Sequence, residues 1–222
     1  MREGVGMQLK KRARSRAAKS KRKDAIIAAA ESLLRRSSYD AMTMQAVAME
    51  VGLGKGTLYL YFPSREALVL DVYGRLFDEW IDQFTSQVSN VTDVAEFCRD
   101  FCFYYTNDPL FLKLTGFVLS LMEPQLDRES YIRGKRAMAS RVKKLAGIVC
   151  QRLGMTPILA QKFVWGLLTV AFGATQLSMR SSRSVGNFPK DVEFFIGTTG
   201  FETVFLNAAM PFCAAIMREK YD

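Results

Sequence analysis

The chain has 222 residues, is 49% hydrophobic and 24% charged, and carries a net charge of +9, which is ordinary globular material with ample apolar content for a core. Ten of its cations and one anion, Glu3, fall within residues 1–23, so the whole surplus sits in an N-terminal arm while the other 21 cations and 21 anions cancel. Four cysteines (Cys98, Cys102, Cys150, Cys213) without a single histidine fit neither the paired ligand spacing of a zinc site nor a disulfide scaffold.

The arm, 1–23, has no apolar periodicity and its cations repel one another, so it is expected to be disordered alone. No apolar stretch follows it, so a secretory leader is not expected. From Asp24 the pattern changes. Ile26, Ile27, Ala30, Leu33 and Leu34 trace one face of an amphipathic helix that Ser37 and Ser38 end.

Thr43 is placed to cap a second, short helix with Val47, Ala48 and Val51 turned inward, and Gly52 to close it in the left-handed conformation. Lys55 to Tyr61 form a third helix that stops before Pro63. Ser64 caps a long fourth, along which Val69, Val72, Tyr73, Leu76, Phe77, Trp80, Ile81, Phe84 and Val88 make a continuous apolar stripe. The glycines at 52, 54 and 56 lack the strand and the Gly-Lys-Ser/Thr ending of a phosphate loop, and read as a turn.

Further helices are expected at about 92–107, 109–122, 127–153, 158–180 and 190–218, with breaks at Pro109, Pro124, Gly154 to Pro157 and Ser181 to Pro189. No run alternates with period two for long, so the fold class is all-α. The strongest apolar run, Phe163 to Ala174, is shorter than the ~18–20 residues a bilayer crossing needs. Cytoplasmic localisation with reduced thiols and no membrane partner follows.

Three short helices with a glycine turn between the second and third spell a helix-turn-helix, whose third helix enters the major groove. The stretch from Thr43 to Leu68 resembles the signature of the TetR family: Thr43, Val47-Ala48, Val51-Gly52, Thr57-Leu58-Tyr59, Tyr61-Phe62 and Ser64-Arg65-Glu66-x-Leu68 stand at the family's spacing. The resemblance covers about residues 24–70. It departs at Gly54, where the family has a polar residue that caps the third helix, and at Arg65, where lysine is common.

The resemblance implies a helix-turn-helix DNA-binding domain over 24–68 and an effector-binding and dimerisation domain over 69–222. It implies base contacts from Gln45, Lys55, Gly56 and Thr57. Phosphate contacts are expected from Thr43, Tyr59, Tyr61 and Arg65: the two tyrosines cannot both be buried on one short helix, and the other two stand at helix N-termini. The arm is expected to add minor-groove or backbone contacts.

In the larger domain the resemblance implies a small hydrophobic effector, for which Trp80, Phe84, Phe101, Tyr105, Phe117, Met122 and Tyr131 could line an apolar pocket. Segment 158–180, with Gly166, Ala171, Gly173 and Ala174, is apolar on more than one face. Segment 190–218, with Phe194, Phe195, Phe201, Val204 and Phe205, is too. These suit a four-helix homodimer interface, and Pro211 should kink or end the last helix. The expected partners are therefore a palindromic double-stranded operator, the effector and a second copy.

No cofactor, metal or catalytic triad is legible, and the commonest general base is missing. A Cys98–Cys102 redox pair within one helix is geometrically poor. The competing reading from another class is a helical enzyme or lipid-handling protein using the aromatic pocket, and duplex binding discriminates the two. Membrane attachment through the arm lacks apolar anchors among its cations.

Overall fold

The computed structural model describes residues 2–88, 93–118, 122–178, 189–190 and 200–221. Every regular element among them is helical. They are α1 (Arg2–Arg36), α2 (Met44–Glu50), α3 (Lys55–Tyr59), α4 (Arg65–Gln87), α5 (Val94–Thr106), α6 (Pro109–Phe117), a 3-10 turn (Glu123–Gln125), α7 (Arg128–Leu153), α8 (Pro157–Ser178) and α9 (Phe201–Tyr221). The chain divides into two compact units, Met1–Val72 and Tyr73–Asp222.

Local chemistry explains most helix boundaries. Thr43 Oγ1 accepts from the Ala46 N–H, Ser64 Oγ from Ala67, Asp93 from Glu96 and Asp127 from Ser130, so four helices start on side-chain caps. Asp108 accepts from Leu110 and Phe111 ahead of a proline at the first turn of α6. At the end of α2, Gly52 has φ +64, its N–H donates to Met49 O, and the Leu53 N–H donates to Ala48 O at 2.9 Å. This pair of bonds is a Schellman closure, which needs a left-handed residue where Gly52 stands.

The first unit closes on Ile26, Ala30, Met42, Val47, Ala48, Leu58, Phe62 and Leu68, all fully or almost fully buried. The second is centred on the α4 stripe. Trp80 lies edge-on to Phe77, Phe101 and Tyr105 and stacks on Phe84. Phe101 stacks on Phe205 at 5.4 Å and Tyr105 on Phe201 at 5.3 Å, joining α5 to α9.

Helices α8 and α9 pack antiparallel, with Lys162 bonded to Glu219 and Phe163 stacked on Phe212. A Cβ on Gly166 would run into the Phe212 ring, so only glycine admits this approach. Arg141 ties α7 to α4 by donating to both Asp78 carboxylate oxygens and to Gly74 O.

Three sequence expectations change. The arm continues α1 as helix back to Arg2, because Lys, Arg, Gln, Leu and Ala are good helix formers and the packed turns from Ile26 provide the nucleus from which the helix propagates. Of the kink or end expected at Pro211, the end does not occur: the last helix continues to Tyr221, since proline removes one backbone bond and packing on α8 holds the flanking turns. The third helix ends at Tyr59 rather than Tyr61. Phe194, Phe195 and the break at 181–188 lie outside the described residues.

Helix α8 is long and apolar enough, by length and composition, to cross a membrane, and 44% of that window is buried inside the protein. Its buried side packs on α7 and α9, the position of a core helix.

Candidate DNA interface and effector domain

In the first unit, the turn around Gly52 sets α2 and α3 against each other and leaves their polar residues outward. Gln45, Lys55 and Gly56 are exposed, and Thr57 is half-buried. Leu58 between them is fully buried and anchors α3. Gly54 caps α3 without any side-chain hydrogen bond, as the departure at that position implied.

Tyr59 is 44% exposed, so its hydroxyl is open to a phosphate oxygen, while Tyr61 is half-buried. Thr43 is exposed but its oxygen is engaged in capping α2, which leaves its hydroxyl hydrogen to donate. Arg65 is more committed. Its guanidinium stacks 4.1 Å from the Tyr39 ring centre and donates from Nε to Glu66. Tyr39 in turn donates to Glu66. Burial and the Glu66 charge push the Tyr39 hydroxyl up to about 12. Burial acts to raise Glu66, but the N–H group at its helix start, Arg65 and Tyr39 together hold its carboxyl below the ordinary value.

Beside Tyr61, the end of the basic arm meets the turn after α3. Lys19, Ser20, Lys23, Leu60 and Tyr61 line an open notch of about 400 Å³. Lys19 Nζ stands 6.0 Å over the Tyr61 ring, and Lys23 Nζ stands 5.4 Å over Phe62 while pairing with Asp71 at 2.6 Å. Reading the sequence alone missed this juxtaposition, since it exists only because the arm is helical in register with α1.

In the second unit, the structure brings Trp80, Phe84, Phe101 and Tyr105 into one cluster. Met122 is fully buried, Phe117 half-buried, and Tyr131 is 41% exposed with Lys135 over its ring. Tyr73 of the α4 stripe joins the interior with Phe111, Thr115 and Thr175, and these last three were not singled out from sequence. The threonines were the available signal, as polar residues inside apolar runs.

The Thr115 and Thr175 hydroxyls next to Tyr105 donate to carbonyls of their own helices, Phe111 O and Ala171 O. Tyr105 Oη and Trp80 Nε1 are buried without a hydrogen-bond partner among the described residues. No charged side chain of this unit is buried among the described residues. A separate concavity of about 540 Å³ on α7 is lined by Arg128, Glu129, Ile132, Arg133 and Arg136. Among the described residues no group of His, Cys, Asp or Glu is placed to hold a metal ion.

Comparison with known proteins places both units. Residues 26–72 match the model for bacterial regulatory proteins of the tetR family, and residues 74–212 match a tetracyclin repressor-like C-terminal domain. Over 54 residues the chain is 38% identical to the uncharacterised HTH-type transcriptional regulator YuxN of Bacillus subtilis, covering 24% of this chain and 19% of that protein. Over 72 residues it is 35% identical to the HTH-type transcriptional repressor KstR of Mycolicibacterium smegmatis, covering 32% and 35%. The chain thus aligns with well under half the length of these relatives.

Among solved structures, the fold is similar to FadR of Bacillus subtilis in complex with stearoyl-CoA (TM-score 0.51, 15% identity, covering 85% of this chain and 96% of that one). It is also similar to a putative TetR-family regulator of Mesorhizobium loti (TM-score 0.51, 18% identity, 88% and 96%). At these identities the likeness is one of fold. With the two family models spanning most of its length, the chain belongs to the TetR family of bacterial transcriptional regulators.

Proposed function

We propose that the protein is a cytoplasmic homodimeric repressor that holds a palindromic operator and releases it on binding a small hydrophobic effector. The observation that carries the DNA part is the outward set Gln45, Lys55, Gly56 and Thr57, on two short helices fixed by the Gly52 closure and flanked by the exposed Tyr59 hydroxyl. Glutamine pairs bidentately with adenine, lysine reaches guanine O6 and N7, and the threonine methyl meets a thymine methyl. Thr43, Tyr59, Tyr61 and Arg65 set register on the phosphates, with Arg65 acting partly through its bonds to Tyr39 and Glu66.

Support for dimerisation is the outer face of α8. Ile158, Trp165 and Leu177 are exposed there, and a Cβ on Gly173 would meet open space. A large apolar stripe on a helix already packed on its other side suits a second copy, and a two-fold operator needs two heads.

Support for the effector is the aromatic interior with two buried donors, Trp80 Nε1 and Tyr105 Oη, left without partners among the described residues. Such groups cost free energy that an acceptor on a bound ligand recovers. The arginines on α7 favour an effector with an anionic end, as in the stearoyl-CoA of the FadR complex. The test is selection of bound duplexes from a random pool, then thermal-shift and operator-release assays with fatty acids, acyl-CoA thioesters and uncharged apolar compounds. Failure to enrich a palindrome overturns the repressor reading; enrichment with no release by any apolar compound overturns the effector.

A further inference from the structure

In the second unit, α5 and α9 carry a pair of thiols that nothing in the DNA-binding reading uses. Cys98 on α5 and Cys213 on α9 are 0% and 1% exposed, and their sulfurs stand 2.8 Å apart. That separation lies between the ~2.0 Å of an S–S bond and the ordinary contact of two thiols. The approach is held by ring stacking along the same two helices. Phe101, three residues after Cys98, stacks on Phe205, and Tyr105 stacks on Phe201, so α5 and α9 run antiparallel with their registers locked. Cys102, the neighbour that sequence spacing suggested, lies on the same helix as Cys98, where a bridge is geometrically poor.

We infer that Cys98 and Cys213 are a modification site, forming an intramolecular disulfide with hydrogen peroxide as the oxidant. One thiolate attacks a peroxide oxygen, the O–O bond breaks, and the departing hydroxide takes a proton to leave as water, giving a sulfenic acid. The second sulfur attacks that sulfur, the S–S bond forms, the S–O bond breaks, and a second water leaves with the remaining thiol proton. Two thiols are oxidised by two electrons and one peroxide is reduced.

Reactivity is gated by burial. The adjoining Cys213 sulfur and then burial push the Cys98 thiol up, and burial pushes Cys102 up to about 12. Neither is nucleophilic while closed. Oxidation therefore runs through local openings of α9, where Pro211, two residues before Cys213, removes one backbone bond of the helix. Once formed, the bond joins residues 115 apart in sequence, a long loop of the kind whose cross-linking restricts the unfolded chain most. It ties α5 of the effector domain to its last helix, α9. The inference is independent of which operator or effector the protein uses.

The test uses full-length protein carrying Cys150→Ser, which removes the partly exposed thiol and leaves Cys98, Cys102 and Cys213. It is treated with hydrogen peroxide in urea well below the unfolding midpoint, so that local openings are sampled. The expected result is loss of two of the three thiols, a mass lower by two hydrogens, and a non-reduced peptide pair joining Cys98 to Cys213. The thermal midpoint should rise by several degrees and return on adding dithiothreitol. Adding Cys213→Ser should leave Cys98 and Cys102 unlinked and abolish the shift. A Cys98–Cys102 link, an intermolecular link, or three free thiols after peroxide would each overturn the inference.

Discussion

Removing residues 1–18 deletes six arm cations (Arg2, Lys10, Lys11, Arg12, Arg14, Arg16) and one anion, while keeping Lys19 and Lys23 beside Tyr61 and the core that begins at Ile26. Positions 12, 16, 19 and 23 repeat the helical period, and α1 is helical from Arg2. At about 1.5 Å per residue, Arg12 to Lys23 spans about 16 Å of helix axis. Duplex DNA presents one charge per about 1.7 Å, so an arm lying along the backbone over that length meets several phosphates. If the truncation removes two such contacts from each arm, a dimer loses four, and the log–log salt slope flattens by about 3.6 at roughly 0.9 per contact. Raising salt from about 50 to 200 mM should then weaken the full-length protein ~150-fold more than the truncated one. Fluorescence anisotropy on specific and random duplexes across a salt series measures this. Preferred bases in the major groove should be unchanged. Identical slopes would refute the reasoning and leave the arm a passive extension.

Gln45→Ala should relax discrimination at one base position by ~1–3 kcal/mol, whereas Tyr59→Phe should weaken all duplexes alike; unchanged binding by both variants at matched salt rejects the interface. Gly173→Glu should give monomers by sedimentation, with helical content kept and operator binding lost, because the position has open space around it within its own chain. Gly52→Ala forces an L side chain into a φ of +64 and should destabilise the DNA-binding unit by ~1–2 kcal/mol in urea titration. Since the Glu66 carboxyl is held below its ordinary value, its contribution is complete above the unfolded pKa and is lost as pH falls through the folded one. Glu66→Gln should therefore cost ~1 kcal/mol at neutral pH, with the gap to the parent protein closing below about pH 4.3.

Much of the local structure was legible because it rests on interactions between residues close in sequence. Thr43 and Ser64 cap their own next turns, Gly52 closes α2, and the period of Ile26 to Leu34 or Val69 to Val88 states which side of a helix leaves water. The family signature rests on the same short-range spacing, which is why the DNA-reading unit could be laid out before any fold was known. What tertiary structure decided is where distant segments meet. Lys19 reaches Tyr61 only because α1 extends unbroken through the arm, and Arg65 stacks on Tyr39, 26 positions earlier in the chain. Gly166 reads as a generic small residue until Phe212 fills the space a Cβ would need. Cys98 finds Cys213 across 115 residues rather than Cys102 one turn away. Hydrophobic burial is non-directional, so a periodic stripe fixes that a face is buried and never what covers it; that choice belongs to the packing of α5, α8 and α9.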